Sequence, residues 1–281
     1  MWHARPLTDD DIPEVVAMVN ACELADTGEA MLDADDVRAD LAQIDRERDA
    51  CVVVSGGRII GWCLLWDLRK RWADVHPDAR GQGIGSWLER WSVWRSRQRG
   101  APRIGESIYD ERRDVAQWFT RLGYTPRYTS WMLTIPAAAA THHAQPAGDE
   151  ADAALELIER CFTEFRDRTP VSLARWRAQT VERSDFKPED LLVIRQGDRI
   201  VAAAFLICVD EVWVDSLAVD PAFRRQGLAR ELITAARDRA FREGFPQVRL
   251  ATDSNTGALE VYQHLGMTLD RSFTHWAIDL N

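Results

Sequence analysis

A long-period repeat constrains this chain more than any other feature. Val75 to Leu88 reads V-H-P-D-A-R-G-Q-G-I-G-S-W-L and Val219 to Leu232 reads V-D-P-A-F-R-R-Q-G-L-A-R-E-L. Pro77, Arg80, Gly83 and Gly85 thus recur as Pro221, Arg224, Gly227 and Ala229, each 144 residues later. Other landmarks return at nearly that distance: His3-Ala4-Arg5-Pro6 as His143-Ala144-Gln145-Pro146, Gly100-Ala101-Pro102 as Gly244-Phe245-Pro246, and Leu122-Gly123 as Leu265-Gly266. A period of this length gives each copy the size of an ordinary domain and leaves no room for a short-period solenoid. Two homologous domains are expected, residues 1–135 and 141–281, with 136–150 serving as linker and first strand of the second. The stretch Ile135 to Glu150, IPAAAATHHAQPAGDE, fits a joint because its small and turn-forming residues have little to bury.

Each copy carries the same order of elements. In the first, apolar Ile12, Val15, Val16 and Val19 recur at helical spacing after Asp10-Asp11, and a second helix is expected from Asp33 to Ile44. Strands ACVVVSGG, RIIGWCLLWDL and KRWADVHP follow, and the second copy answers with DLLVIRQGD, RIVAAAFLICV and EVWVDSLAVDP. Gly56-Gly57 and Gly197-Asp198 supply the hairpin turns. After each glycine loop come a long helix, a short strand (RIGESI or VRLAT), another helix and a closing strand (TSWMLTI or FTHWAIDL). The fold class is α+β: in each half a mixed, mostly antiparallel twisted sheet with helices on both faces. Trp87, Trp91 and Trp94 stand at helical spacing and are expected to pack on the sheet.

The repeated loop leads from a strand into a helix. The first turn of a helix has N–H groups without intrahelical partners and a partial positive charge, which together favour a phosphate. Gly227 removes a Cβ from the approach, Ala229 keeps the next position small, and Arg224 and Arg225 add positive charge.

Composition narrows the partners. With 45 acidic against 35 basic residues, a net charge of −10 disfavours a nucleic-acid surface and mildly favours a cationic substrate. No apolar run is long enough to cross a bilayer and no signal pattern opens the chain, so no membrane partner and a cytoplasmic location are expected. Cys22, Cys51, Cys63, Cys161 and Cys208 form no C-x-x-C pair and read as buried apolar residues; no metal site is expected.

The motif order of strand, V-x-P, R-x-x-G-x-G/A, helix, strand, and a helix with an aromatic residue three places before Leu-Gly resembles the GNAT superfamily of acyl-CoA-dependent N-acyltransferases, in two tandem copies over almost the whole chain. The resemblance implies acetyl-CoA as co-substrate and no metal. It implies a pyrophosphate on the backbone amides of Arg225, Gln226, Gly227, Leu228, Ala229 and Arg230, with Arg224 beside them in the cofactor site. The pantetheine arm would run beside Leu217, Ala218 and Val219, and an N–H of that strand would meet the oxyanion. Asn255 matches the family's CoA-contacting asparagine, where the first half has Arg112. In the first half, Arg80, Gly81, Gln82, Gly83, Ile84, Gly85 and Ser86 form the more orthodox loop.

The family's usual acid is a tyrosine on the last helix. Aligning Leu265-Gly266 with Leu122-Gly123 sets Tyr262 against Phe119, whose ring has no proton to give. An amine must lose a proton before it attacks, and the acid four residues before the motif valine is Asp215, set against Arg71; Glu211 and Asp210 are substitutes. By strand alternation Asp215 shares a face with Trp213 and Leu217. The second half is therefore expected to catalyse. The first is expected not to, and whether its loop retains acetyl-CoA stays open. The acceptor implied is a small-molecule primary amine; an acyl-CoA-binding regulator and a protein N-acetyltransferase are the alternatives. The chain is expected to act as a monomer with an internal pseudo-dimer or as a homodimer.

Overall fold

The structure is a computed structural model describing residues 1–30, 32–66, 68–164 and 170–280. Met31 and Asp67, which fall in an acidic segment and in a strand expected from the sequence, lie outside the described residues. The chain divides into two compact units: Met1–Tyr128 with Phe273–Asn281, and Thr129–Ser272.

In the first unit, β1 (Trp2–Pro6) leads to α1 (Ile12–Thr27) and α2 (Ala34–Leu41). The Asp33 carboxylate starts α2 by accepting from the N–H groups of Asp35 and Asp36. After α3 (Arg46–Asp49), strands β2 (Ala50–Ser55), β3 (Arg58–Leu65) and β4 (Arg71–Val75) make an antiparallel sheet in the order β1-β2-β3-β4. Then come α4 (Ile84–Gln98), β5 (Arg103–Tyr109) and α5 (Arg113–Arg121). One apolar layer joins α1 and α2 to Val52, Trp62 and Leu64; another joins Ile84 and Leu88 of α4 to Val53, Cys63 and Leu65. Helices thus cover both faces. α4 buries Ile84, Leu88, Ser92 and Ser96; of the tryptophan stripe, Trp87 and Trp91 pack against the sheet layer as expected and Trp94 does not. Trp87 and Trp91 stack beside β1 and Trp94 is 55% exposed.

The second unit repeats the plan. Its elements are β6 (Thr125–Pro136, in this unit from Thr129), β7 (Gln145–Pro146), α6 (Ala151–Phe162), α7 (Leu173–Gln179), β8 (Leu191–Gln196), β9 (Arg199–Cys208) and β10 (Val212–Val219). α8 (Leu228–Glu243), β11 (Gln247–Asp253), α9 (Leu259–His264) and β12 (Thr268–Asp279) complete the chain. α6 and α7 cover one face over Val193, Ala203 and Phe205, and α8 covers the other over Val201, Leu206 and Val214. β10 pairs antiparallel with β9 and parallel with β11, so the sheet is mixed.

The closing strands are exchanged. Ser130–Pro136 of β6, which follows the last helix of the first half, pairs with β11 in the second unit; Phe273–Asp279 of β12 pairs with β5 in the first. The compact units therefore differ from the 1–135 and 141–281 division read from the sequence. Because the halves are homologous, each closing strand presents a pattern that satisfies either sheet, and alternation alone does not say which sheet receives it.

Candidate active site

In the second unit, β10 and β11 are neighbours only from Val212 to Val214, which pair with Val248 to Leu250. Beyond that point the strands part. The register with β9 shifts between Val214 and Ser216: Val214 opposes Leu206 and Ser216 opposes Phe205, leaving Asp215 as the extra residue of a β-bulge. The bulge inverts the alternation. Val212 and Val214 face the α8 side before it, while Leu217 and Val219 face that side after it, and Ala218 faces α6. Trp213, opposite Ile207 of the α6 layer, and Leu217 consequently lie on opposite faces, which corrects the expected common face of Trp213, Asp215 and Leu217. From Ser216 to Val219 the edge turned away from β9 carries no strand among the described residues. Such an edge offers main-chain groups to an extended ligand.

The strand ends in a shaped loop. Asp220 is buried, accepts from the Ala222 N–H and pairs with Arg160 and Arg199. Arg225 has φ 64° and Gly227 has φ 83°, after which α8 begins at Leu228. In the first unit Gly81 and Gly83 stand at the same places with φ 76° and 81°. The two loops therefore share one backbone path, and Arg225 holds with a side chain a left-handed conformation that costs about 1–2 kcal/mol for a residue other than glycine. No atom lies within 4 Å of where a Cβ on Gly227 would be, so that position faces open space. Leu228 is buried, Ala229 half-buried and Arg230 exposed with its guanidinium on the His264 carbonyl. Gln226 accepts from Gln196.

The motif arginines point back to the fold. Arg224 donates to the Val219 carbonyl at 3.2 Å and to Glu164 at 2.9 Å; Arg80 donates to the Val75 carbonyl at 3.2 Å and grips Asp26 with both terminal nitrogens. Each ties a strand end to an earlier segment of its own unit, Arg224 to Glu164 just after α6 and Arg80 to Asp26 of α1. Asn255 is exposed in the turn after β11, its N–H bonded to the Asp253 carboxylate. The last helix, α9, starts at Leu259, after turns at 254–258 held by Asp253 and Thr256.

Tyr262 packs against the same apolar layer as Leu217 and Val219. Burial pushes its hydroxyl up to about 12, so it stays protonated at neutral pH. Asp215 is accessible to solvent yet crowded enough that lost hydration raises its carboxyl above the usual range, with Arg183 opposing. Asp210 and Glu211 precede the first paired residue of β10, at the end remote from the loop; Glu211 meets Arg249 and Gln247.

The first unit keeps the loop and the arginine clamp but differs along the strand that feeds them. β4 pairs with β3 without a register shift, so Arg71 opposes Leu65 where the second unit has a bulge. Arg71 is buried and donates to Glu106 at 2.9 Å, Ser92 at 2.6 Å and Tyr124 at 3.1 Å. Glu106 also accepts from the Ala73 N–H at 2.8 Å. Arg112, the counterpart of the Asn255 region, bonds Asp26 and Asp114. Gln82 bonds the Asp78 carbonyl, Ile84 is buried, and Gly85 and Ser86 are half-buried on the first turn of α4. Sequence reasoning missed Glu106; a lone acid inside an apolar strand, with an arginine in the neighbouring strand, was its only signal.

A split mixed sheet feeding a glycine loop and a helix, built twice, is matched by known families. Residues 151–267 match the model of the acetyltransferase (GNAT) family and residues 46–126 that of an acetyltransferase (GNAT) domain. This chain belongs to the GNAT family. It is a tandem GNAT N-acetyltransferase. Its relatives include a mycothiol acetyltransferase of a Nocardioides species, 28% identical over 238 residues and covering 72% of this chain and 77% of that protein. An N-acetyltransferase of Haemophilus ducreyi acting on the alanine of ribosomal protein bS18 is 31% identical over 115 residues, covering 39% of this chain and 78% of the relative. Among solved structures, a GCN5-related N-acetyltransferase from Sphaerobacter thermophilus superposes with a TM-score of 0.84 at 25% identity, covering 100% of this GNAT chain and 96% of the other. No helix among the described residues is long and apolar enough to cross a membrane.

Proposed function

We propose that the second unit transfers an acetyl group from acetyl-CoA to the primary amine of a small molecule. The observation that carries this reading is the departure of β10 from β11 at the bulged Asp215, which frees a backbone edge leading straight into the Gly227 loop. Backbone N–H groups from Arg225 to Arg230 would hold the pyrophosphate, strand 217–219 the pantetheine arm, and Asn255 a further contact.

Acetyl-CoA supplies an acetyl carbonyl activated as a thioester. Asp215 accepts a proton from the substrate ammonium, and the freed nitrogen lone pair forms the bond to the carbonyl carbon. An N–H of residues 217–219 stabilises the oxygen as negative charge gathers there. As the C–S bond breaks, Tyr262 gives its hydroxyl proton to the sulfur. The nitrogen of the new amide sheds its second proton to solvent; Asp215 has gained one proton and Tyr262 has lost one, and exchange with solvent resets both.

The acceptor class follows from the relatives and the net charge. Mycothiol acetyltransferases lead us to an aminosugar-containing thiol precursor, with aminoglycoside-like amines as the neighbouring class. A panel settles it: cysteinyl-glucosaminyl-inositol, aminoglycosides and an alanine-terminated peptide, each with acetyl-CoA, read by thiol release and product mass. Acetylation of a small amine supports the proposal. Turnover on the peptide alone shifts the reading to a protein N-acetyltransferase, and acetyl-CoA binding without turnover on any amine shifts it to a binding protein.

A further inference from the structure

We infer that the first unit takes no acyl-CoA because the side chain of Glu106 fills its acyl slot, and that the chain binds one acyl-CoA, in the second unit. The second clause rests on the function proposed above; the first does not.

The backbone N–H of Ala73 stands 144 residues before that of Leu217, on the strand edge that in the second unit carries no strand among the described residues. Among the described residues β4 and β5 touch through one bridge, Lys70–Gly105, next to which the Gly105 N–H donates to the Arg69 carbonyl at 2.9 Å, and they then separate as β10 and β11 do. In the second unit the residue at the place of Glu106 is Leu250, an apolar core residue. In the first, Glu106 sends its carboxylate into the gap. Oε1 accepts from the Ala73 N–H and Oε2 from Nε of Arg71, so one side chain occupies the donor that a ligand's carbonyl would need.

Arg71 makes that occupancy hard to reverse. Its guanidinium is buried beneath Phe119 and Tyr124, at 5.4 and 5.5 Å from their ring centres, and bonded to Ser92 and Tyr124. Swinging Glu106 out of the gap would strand a buried cation without its carboxylate, one of the more destabilising changes a folded protein can suffer. At the mouth, Asp26 holds both Arg80 and Arg112, tying the end of α1 to the loop and to the start of α5. The glycine loop keeps its shape while the slot it once served is closed by side chains.

Hydrogen exchange on the full chain tests this, with acetyl-CoA as the probe and stoichiometry measured alongside by calorimetry. Acetyl-CoA is expected to slow exchange at least tenfold across 215–219 and 225–230, to leave 71–75 and 81–86 unchanged, and to bind once per chain. Without ligand, Glu106→Ala is expected to speed exchange at Ala73. Slowing across 71–75 and 81–86, a stoichiometry of two, or an unchanged Ala73 amide in a folded Glu106→Ala variant would overturn the inference. Single-site binding that protects neither strand sinks the proposed function and leaves the closed first slot standing. The ligand arm needs no variant, so misfolding of Glu106→Ala still leaves the question decided.

Discussion

Val75 and Val219 end corresponding strands, and one residue separates their construction. In β10 the chain spends Asp215 on a bulge, reverses its side-chain alternation and leaves β11. In β4 the corresponding residue is Arg71, the register with β3 stays regular, and the gap before β5 is filled from within by Glu106. Both strands feed loops of the same backbone path, with left-handed residues at 81 and 83 and at 225 and 227. The comparison separates what holds the fold from what the proposed reaction needs. Loop shape and the arginine clamp survive in both units, whereas an open strand edge, a carboxylate at the bulge and a phenol on the last helix occur together in the second alone.

The largest expected effect lies at the loop. Gly227→Glu puts a negative charge beside the helix N-terminus and a side chain at φ 83°, and is expected to abolish acetyl-CoA binding by calorimetry while circular dichroism stays native. Full affinity in a folded variant would remove the second loop from the cofactor site. Next comes Tyr262→Phe, which makes the last helix of the second unit like that of the first. Turnover should fall by ~10²–10⁴-fold with acetyl-CoA affinity nearly intact, since only the hydroxyl is lost. Wild-type turnover would mean that another group protonates the sulfur.

Asp215→Asn should act through pH. The carboxyl is raised by burial yet has to be ionised to accept a proton, so the wild-type rate rises as pH climbs through that raised value. The variant, lacking the base, should be slowest relative to wild type near neutrality and recover above pH 9, where solution supplies free amine. A constant ratio of rates from pH 6 to 10 would deny Asp215 the role. Phe119→Ala in the first unit should leave chemistry alone and cost ~3–5 kcal/mol of stability, because the ring is fully buried, stacked on Tyr124 and part of the cover over Arg71. A drop in kcat without a loss in stability would place part of the active site in the wrong unit.

Much of this was legible in the sequence because it rests on local signals. The glycines at 83 and 227, the small-residue hairpin turns and the apolar periodicities fixed the order of elements, their helical or strand character and the doubled plan. What escaped depends on partners distant along the chain. No local signal told β6 that its partner is β11, since β12 carries an equivalent pattern. The bulge at Asp215 is set by pairing with β9, and a reading by simple alternation passes over it. Trp94 stands at the same helical spacing as Trp87 and Trp91, yet it is exposed, while the face carrying Ser92, whose hydroxyl accepts from Arg71, is buried. Asn255 likewise stands in a turn that the Asp253 carboxylate sets before the last helix begins.

The smallest effect expected is a thermal one, at Asp74. This residue precedes Val75 at the end of β4, where the second unit has the buried Ala218, and its carboxylate accepts from Nε1 of Trp62 at 3.3 Å. Burial, with Glu106 nearby, raises it to about 7, while Trp62 pulls the other way. The folded chain therefore keeps a proton that the unfolded chain releases near pH 4. Stability from this group is complete below that value, declines as pH rises, and is gone above about 7. Asp74→Asn retains an acceptor for Trp62 and carries no titration, so its Tm should match wild type at low pH and exceed it by on the order of 5 °C at pH 8. The equivalent substitution in the second unit, Ala218→Asn, has no charge to remove and should lower Tm by a similar amount at every pH. Calorimetric scans from pH 5 to 8 separate the two. If Asp74→Asn shifts Tm equally at pH 5 and pH 8, Asp74 is an ordinary surface carboxylate, and the first unit's closed slot is less desolvated than its Arg71–Glu106 pair implies.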